Sequence, residues 1–180
     1  MKLFKTAITA LLALAVSLPA LASETPNLDK INERGSLRVG MSTFVPWAMR
    51  NKQGDLVGFE IDVAKRLAED SGWKVEFVPT AWDGIIPSLL SNKFDVIIGG
   101  MSITEARAKS VLFTEPYSHS GVQLAANKEL AEGFSKVSDF DSRRVKIAAR
   151  RGAFTVQVAR ETFPKAKVLQ FDDDAQAFQE

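Results

Sequence analysis

The feature that most constrains the fold is a regular alternation of strand-like and helix-like segments between residues 37 and 100. LRVGM at 37–41 and KVEFVPT at 74–80 have the pattern of strands bounded by glycine and polar residues. DVIIGG at 95–100 is a β-branched run without alternation, which is typical of a parallel strand covered on both faces. Strand, helix, strand, helix, strand in about 70 residues predicts a parallel α/β sheet.

Two helices are predicted between these strands. The first has one apolar face, and Gly72 ends it; the face is made by Ile61, Ala64, Leu67 and Ala68. The segment 82–94, WDGIIPSLLSNKF, predicts the second helix, with Pro87 in its first turns. Leu28–Arg34 predicts a short helix before the first strand, ended by Gly35.

A second strand–helix–strand series begins near Val145. VKIAAR at 145–150 and KVLQF at 167–171 predict its strands, and a helix over 153–163 follows a turn at Gly152. An extended run at 121–127 precedes this series. Two strands are too few for an independently stable sheet, and the last helix has no stop signal, so we expect the sequence to be a fragment of a longer protein.

The first 22 residues have the pattern of a secretory signal peptide. Two lysines precede an apolar stretch at 7–18, and ALA at 20–22 is a small-residue cleavage site before Ser23. The apolar run is shorter than the ~20 residues of a membrane anchor, the alternative interpretation. The chain has no cysteine, so it has neither a disulfide nor a site for lipid attachment. We expect export to a bacterial periplasm.

The composition excludes several classes of function. Removal of two signal-peptide lysines from the 23 basic residues leaves 21 against 22 acidic ones, and this balance does not favour nucleic acid. His119 has no histidine or cysteine partner for a metal, and no phosphate-binding loop, nucleophile elbow or dinucleotide fingerprint is present. The sequence therefore predicts no cofactor and no metal.

Three segments follow the carboxyl ends of predicted parallel strands, where open α/β sheets bind ligands. They are STFVPW at 42–47, TAWDG at 80–84 and GGMSITEAR at 99–107. Phe44 and Trp82 would form apolar walls of a small crevice, although aromatic residues more often fill cores.

Arg107 is the most informative residue of these segments. Ser102 and Glu105 have capping-box spacing, which places a helix start near Ser102 and Arg107 in the first turn. A cation there is unfavourable by a few tenths to about 1 kcal/mol, whereas a bound carboxylate would make it favourable. From the residues alone, solvation of Arg107, or its pairing with an acid, is equally plausible; the acids are Glu105, Glu115 and Asp83.

The second series has a comparable feature, because two arginines end its first strand just before Gly152. We expect Arg151 to face the same cleft. An acidic ligand side chain would then be favoured, although the aromatic walls would equally suit a larger, less polar one.

From about Leu28 onward the chain resembles the family 3 extracellular solute-binding proteins, the polar amino-acid receptors of ABC importers. The resemblance rests on GFEIDVAKRLA, DVIIGGMSITEAR and FTEPY in that order and spacing. It implies a two-lobed α/β fold of the type II periplasmic-binding-protein class, with an incomplete second lobe. The implied divisions are a signal peptide at 1–22, a first lobe at 23–123, and a hinge strand with a partial second lobe at 124–180.

The resemblance also implies roles for individual residues. Arg107 matches the arginine that binds the ligand's α-carboxylate, with Ser102 beside it. Gly100 matches a position that contacts the α-amino group, and Phe44 and Trp82 match the walls. The second lobe's carboxylate-binding helix start is matched by Gly152, Ala153 and Phe154.

Three departures from the family pattern affect this site. Ala153 and Phe154 stand where the family often has a hydroxyl residue. The segment between Gly40 and Pro46 is one residue short, so an acid often found there has no counterpart. The aspartate that usually holds the α-amino group would lie beyond Glu180.

The implied function is capture of an amino acid between two lobes and its delivery, by a monomer, to an ABC permease in the inner membrane. An enzyme resembling cyclohexadienyl or arogenate dehydratase is the first alternative, although no proton donor is evident in the cleft segments. A ligand-sensing input domain is the second alternative.

Overall fold

The computed structural model describes residues 26–180, so the predicted signal peptide lies outside the described residues. The helices are α1 (Pro26–Arg34), α2 (Phe59–Asp70), α3 (Ile85–Leu90), α4 (Glu105–Ala108), α5 (Phe154–Thr162) and α6 (Asp174–Gln179). The strands are β1 (Ser36–Met41), β2 (Met49–Arg50), β3 (Leu56–Val57), β4 (Lys74–Pro79), β5 (Val96–Ile97), β6 (Lys146–Arg150) and β7 (Lys167–Phe171). Two single 3₁₀ turns are Trp82–Gly84 and Val137–Phe140.

The first sheet has the order β4-β1-β5 with all neighbours parallel, which confirms the predicted parallel α/β sheet. The central strand β1 places Val39 opposite both Phe77 and Val96. Val39 and Met41 are fully buried, and α2 covers them with Ile61 and other apolar residues. A short antiparallel hairpin, β2 with β3, is inserted between β1 and α2.

The second sheet consists of β6 and β7, also parallel, with Lys146 opposite Lys167 and Arg150 opposite Phe171. Helix α5 connects these strands and buries Ala159 against Ile147. Both sheets are therefore strand–helix–strand units of the kind that the sequence predicts.

Strand β5 is shorter than the sequence predicts. The run 95–100 forms only the two-residue strand Val96–Ile97. Oδ2 of Asp95 accepts a hydrogen bond of 2.8 Å from the backbone N–H of Arg38, and Gly100 has a φ of +64°. A side chain at one end and a left-handed glycine at the other thus stop the ladder.

The predicted hinge strand is not paired with any part of the chain that the structure describes. Residues 109–136 contain no helix or strand, and 121–127 are exposed there. An extended segment needs a neighbouring strand for its backbone groups, and neither sheet offers one at this place. Among residues 26–180, no helix has both the length and the apolar composition that a bilayer crossing requires.

Candidate functional site

The carboxyl ends of β1 and β5 bring Phe44 and Gly100 together, as the sequence predicts for these two segments. A Cβ on Gly100 would lie 3.2 Å from Cζ of Phe44 and 3.2 Å from Oε1 of Glu60. Because its φ is also +64°, this position is built for glycine. The backbone at Gly100 therefore approaches an aromatic ring and a carboxylate very closely.

Glu60 is a member of this cluster that sequence reasoning missed. It is 4% exposed, and its Oε2 accepts a hydrogen bond of 2.6 Å from the Tyr117 hydroxyl. Burial raises the pKa of the Glu60 carboxyl, and the hydrogen bond from Tyr117 acts in the opposite direction. From sequence, Glu60 has only the pattern of an acid at a helix N-terminus, so no local signal could place it beside Tyr117.

Trp82 is a core residue that also lies against the end of β5. Its side chain packs with the buried Ile85 and Phe94, and the residue is 9% exposed. A Cβ on Gly99 would lie 3.4 Å from Cζ3 of the indole ring. Gly99 thus lets the ring lie against the end of β5.

The helix that carries Arg107 begins later than the capping-box spacing predicts. Thr104, not Ser102, is its N-cap, and Oγ1 of Thr104 accepts from the backbone N–H of Arg107 at 3.3 Å. Helix α4 has only four residues, so few peptide dipoles add up along it. The predicted start near Ser102 is therefore wrong, and the expected penalty on Arg107 is correspondingly small.

The Arg107 guanidinium connects the two sheets. Its Nη1 donates to the carbonyl of Ser102 at 2.7 Å, and its Nη2 donates to the carbonyl of Gly152 at 3.1 Å. Among residues 26–180 no carboxylate lies within 4.0 Å of it, so the predicted alternative of an acidic partner is not what the structure has. Burial lowers the pKa of Arg107. The half-buried cation thus has only neutral carbonyl acceptors.

The second sheet contributes the turn before α5. Gly152 has a φ of +71°, and a Cβ there would lie 2.9 Å from the Cα of Asp83 in the first unit. Ala153 is the N-cap of α5 and makes no capping hydrogen bond with its side chain. Phe154 lines a groove together with Ile103 and Thr104. The first N–H groups of α5 are thus left without a side-chain acceptor and lie near the segment that carries Arg107.

Two neighbouring arginines, Arg150 and Arg151, lie at the end of β6. Arg151 is half-exposed, and its Nε donates to Oδ1 of Asp172 at 3.0 Å and lies 4.0 Å from Oδ2 of Asp83. Arg150 is the buried one, with a side chain that is 8% exposed and a guanidinium 5.5 Å from the centre of the Trp82 ring. Ala149 and Arg150 are both buried at this end of β6, so alternation along the strand does not separate the two arginines.

Arg150 also contacts the segment after β1. Its Nη2 donates to Oγ of Ser42 and its Nη1 donates to the carbonyl of Thr43 at 3.3 Å. Burial lowers the pKa of Arg150, and attraction to nearby acids acts in the opposite direction; these acids are Asp174, Asp173 and Asp83. Contacts thus join several of the sequence-predicted site residues: Phe44 meets Gly100, and Arg107 meets both Ser102 and Gly152.

Two curated relatives resemble this chain along most of its length. L-cystine-binding protein TcyJ of Escherichia coli is 34% identical over 154 residues, which are 85% of this chain and 57% of the relative. Cyclohexadienyl dehydratase of Pseudomonas aeruginosa is 30% identical over 181 residues, which are 99% of this chain and 68% of that enzyme. This chain thus spans little more than half the length of the cystine-binding protein.

A solved structure gives the same result. The ancestral amino acid-binding protein AncCDT-1, described as a precursor of cyclohexadienyl dehydratase, matches with a TM-score of 0.81 at 45% identity. The match covers 85% of this chain and 68% of that one. The family model of the bacterial extracellular solute-binding proteins, family 3, matches residues 37–173. The chain belongs to the bacterial extracellular solute-binding proteins of family 3.

Proposed function

We propose that this protein is the periplasmic component of an ABC importer and that it binds an amino acid in the cleft between its two sheets. The single observation that carries the proposal is the position of Arg107. Its guanidinium bridges the carbonyls of Ser102 and Gly152, on either side of the cleft, and is half-buried without a carboxylate within 4.0 Å in residues 26–180.

The α-carboxylate of an amino acid would complete this arrangement. A guanidinium holds two carboxylate oxygens with parallel hydrogen bonds, and such charge-assisted bonds are stronger than those to carbonyls. The N-terminus of α5 would add N–H donors, because its N-cap Ala153 has no side-chain acceptor. Phe44 and Trp82 would enclose the rest of the ligand.

The two-sided site also provides a way for the ligand to close the protein. Arg107 is on the first unit, and Gly152 with α5 is on the second. A ligand that contacts both would favour the closed arrangement by its differential affinity. We propose that the closed, monomeric, amino-acid-bound form is what the inner-membrane permease recognises, and that the signal peptide delivers the protein to the periplasm.

The test is calorimetry with the twenty amino acids on the full-length protein from which the signal peptide has been removed. We expect at least one amino acid to bind, and Arg107→Ala to lose about 2–5 kcal/mol of binding free energy. Arg66→Ala is the control, because Arg66 is an exposed arginine on α2 that pairs with Asp70. Unchanged affinity in the Arg107→Ala variant would refute the proposal.

A dehydratase is the second candidate, and one observation favours it. Glu60 is a buried carboxyl whose pKa is raised by burial, and it lies beside Gly100 in the candidate site. An acid of this kind can hold a proton to a higher pH than an exposed one. Turnover of prephenate or arogenate, lost in Glu60→Gln, would establish the enzyme; binding of amino acids without turnover would establish the receptor.

A further inference from the structure

Arg150 is a buried cation that the second sheet directs toward the first. Its side chain is 8% exposed, although arginine is normally a surface residue. It donates to Ser42 and Thr43, which follow β1, and it lies over Trp82. All three of these residues belong to the segments at the carboxyl ends of the first sheet.

The hydrogen bonds of Arg150 are incomplete. Its Nε is fully buried and has no hydrogen-bond partner within residues 26–180. A buried donor without an acceptor destabilises the folded state until an acceptor reaches it. Nε and the adjacent Nη form the planar two-donor edge that matches a carboxylate.

The carboxylates nearest to the guanidinium of Arg150 are largely exposed to solvent. Oδ2 of Asp174 lies 3.5 Å from Nη1, and its side chain is 41% exposed. The side chain of Asp83 is 48% exposed and also faces Arg151. Oδ1 of Asp173 is occupied as the N-cap of α6, where it accepts from the backbone of Gln176 at 2.8 Å. Water screens these exposed carboxylates, while the guanidinium itself is dry.

We propose that Arg150 selects the ligand's side chain and that the site takes an amino acid whose side chain ends in a carboxylate. The distal carboxylate accepts from the guanidinium of Arg150, and the ligand's methylene groups lie against Trp82. This inference rests on the proposed function, in which Arg107 takes the α-carboxylate. The residue that favours an acidic ligand side chain is thus the buried Arg150 and not Arg151, which pairs with Asp172.

The buried guanidinium of Arg150 should also rank other amino acids by their side chains. A lysine or arginine side chain would bring a like charge against a desolvated guanidinium, which is strongly unfavourable. A glutamine side chain offers one acceptor oxygen where glutamate offers two and a charge. Glutamate is therefore expected to bind more tightly than its isostere glutamine, and lysine is expected to bind most weakly.

The experiment is calorimetry on the full-length protein without its signal peptide, with glutamate, glutamine and lysine as ligands. We expect glutamate to bind at least about tenfold more tightly than glutamine. Arg150→Leu, which keeps an apolar stem against Trp82, should bring the two affinities within about threefold, whereas Arg150→Lys should keep the preference for glutamate. Arg144→Leu, an exposed arginine near the other end of β6, is the matched control and should keep the full preference.

Equal affinities of the unmodified protein for glutamate and glutamine would overturn the inference. So would a folded Arg150→Leu variant with an unchanged ratio. If Arg150→Leu does not fold, the ratios in the unmodified protein and in Arg150→Lys still decide the question. If no amino acid binds at all, the proposed function fails together with the inference. If Arg107→Ala abolishes binding but the ratio is independent of Arg150, the proposed function stands and the inference alone is wrong.

Discussion

The Tyr117 hydroxyl donates a hydrogen bond of 2.6 Å to the Glu60 carboxylate, 57 residues earlier in the sequence. Glu60 lies in the first turn of α2, and Tyr117 lies in the segment 109–136, which has no helix or strand. The Tyr117 ring also lies 6.3 Å from that of Phe59, measured between ring centres. This contact ties the irregular segment to the first sheet beside Gly100.

Removal of this donor should destabilise the protein. Tyr117→Phe keeps the ring but leaves a buried carboxylate without its partner, which costs about 1–3 kcal/mol in the free energy of unfolding. Urea denaturation at pH 7 measures the change. The double variant Glu60→Gln with Tyr117→Phe is the control and should recover part of the loss, because no charge then stays buried. A Tyr117→Phe variant as stable as the unmodified protein would show that the bond contributes nothing.

The Glu60 carboxyl should also make stability depend on pH. Burial raises its pKa in the folded state above the ordinary value near 4.5. Between the two values the unfolded chain has lost its proton while the folded protein still holds it, so unfolding becomes easier as the pH rises. The unmodified protein should therefore lose stability relative to Glu60→Gln as the pH rises from about 4.5 through the folded-state pKa. Chemical denaturation of both proteins at several pH values measures this, and a constant difference would contradict it.

An ion-pair network in the first unit should show the opposite pH dependence. Asp95 has a side chain that is 7% exposed, and its Oδ1 lies 2.7 Å from Nη2 of Arg38. Arg34 contacts the same carboxylate from the end of α1. Burial acts to raise the pKa of Asp95, but hydrogen bonds from the side chain and backbone of Arg38, and the charges of both arginines, lower it overall.

Asp95→Asn should cost about 2 kcal/mol of unfolding free energy at neutral pH, near the low end for bonds to charged groups because both arginines are partly in water. Because the folded pKa is depressed, this stabilisation is present above about pH 4 and is lost as the pH falls through the folded value. Urea denaturation at pH 7 and at pH 3 measures both effects. Asp70→Asn, which removes an exposed ion pair with Arg66, should have a much smaller effect. Equal effects of the two substitutions would contradict this prediction.

The fold could be predicted from the sequence because its signals are local. The limits of β1, β4, β6, β7 and α5 follow from hydrophobic pattern and glycine positions within one or two residues. The point at which β5 starts could not be predicted. It depends on the side chain of Asp95, which accepts a hydrogen bond from the backbone N–H of Arg38, 57 residues away. The cap of α4 could not be predicted either, since Ser102 and Thr104 are both good N-caps and only tertiary geometry chooses between them.

The candidate site was predictable only as a set of segments. Parallel strands place their carboxyl ends at one edge, and this rule brings Phe44 and Gly100 together without reference to the structure. The identity of the buried arginine depends on which face of β6 meets the first sheet, and two adjacent arginines give no clue to that. Glu60 and Tyr117 meet through a segment that has no periodic pattern, so the sequence could not pair them.

The last prediction concerns the contact between Gly152 and Asp83, which joins the two units. Gly152→Ala places a methyl group 2.9 Å from the Cα of Asp83 and also forces alanine into a φ of +71°. Gly72→Ala is a matched control, because Gly72 has a φ of +72° and a Cβ there meets nothing within 4 Å. Both variants should lose about 1 kcal/mol of stability through backbone strain.

Only Gly152→Ala should also weaken the closed arrangement, since its methyl group cannot coexist with the backbone of Asp83 at this distance. We therefore expect the Gly152→Ala variant to bind amino acids at least about tenfold more weakly, while Gly72→Ala keeps its affinity. Calorimetry on the mature protein compares the two. Equal ligand affinities in both variants would mean that binding does not require the approach of Gly152 to Asp83, and that the ligand is held by the first unit alone.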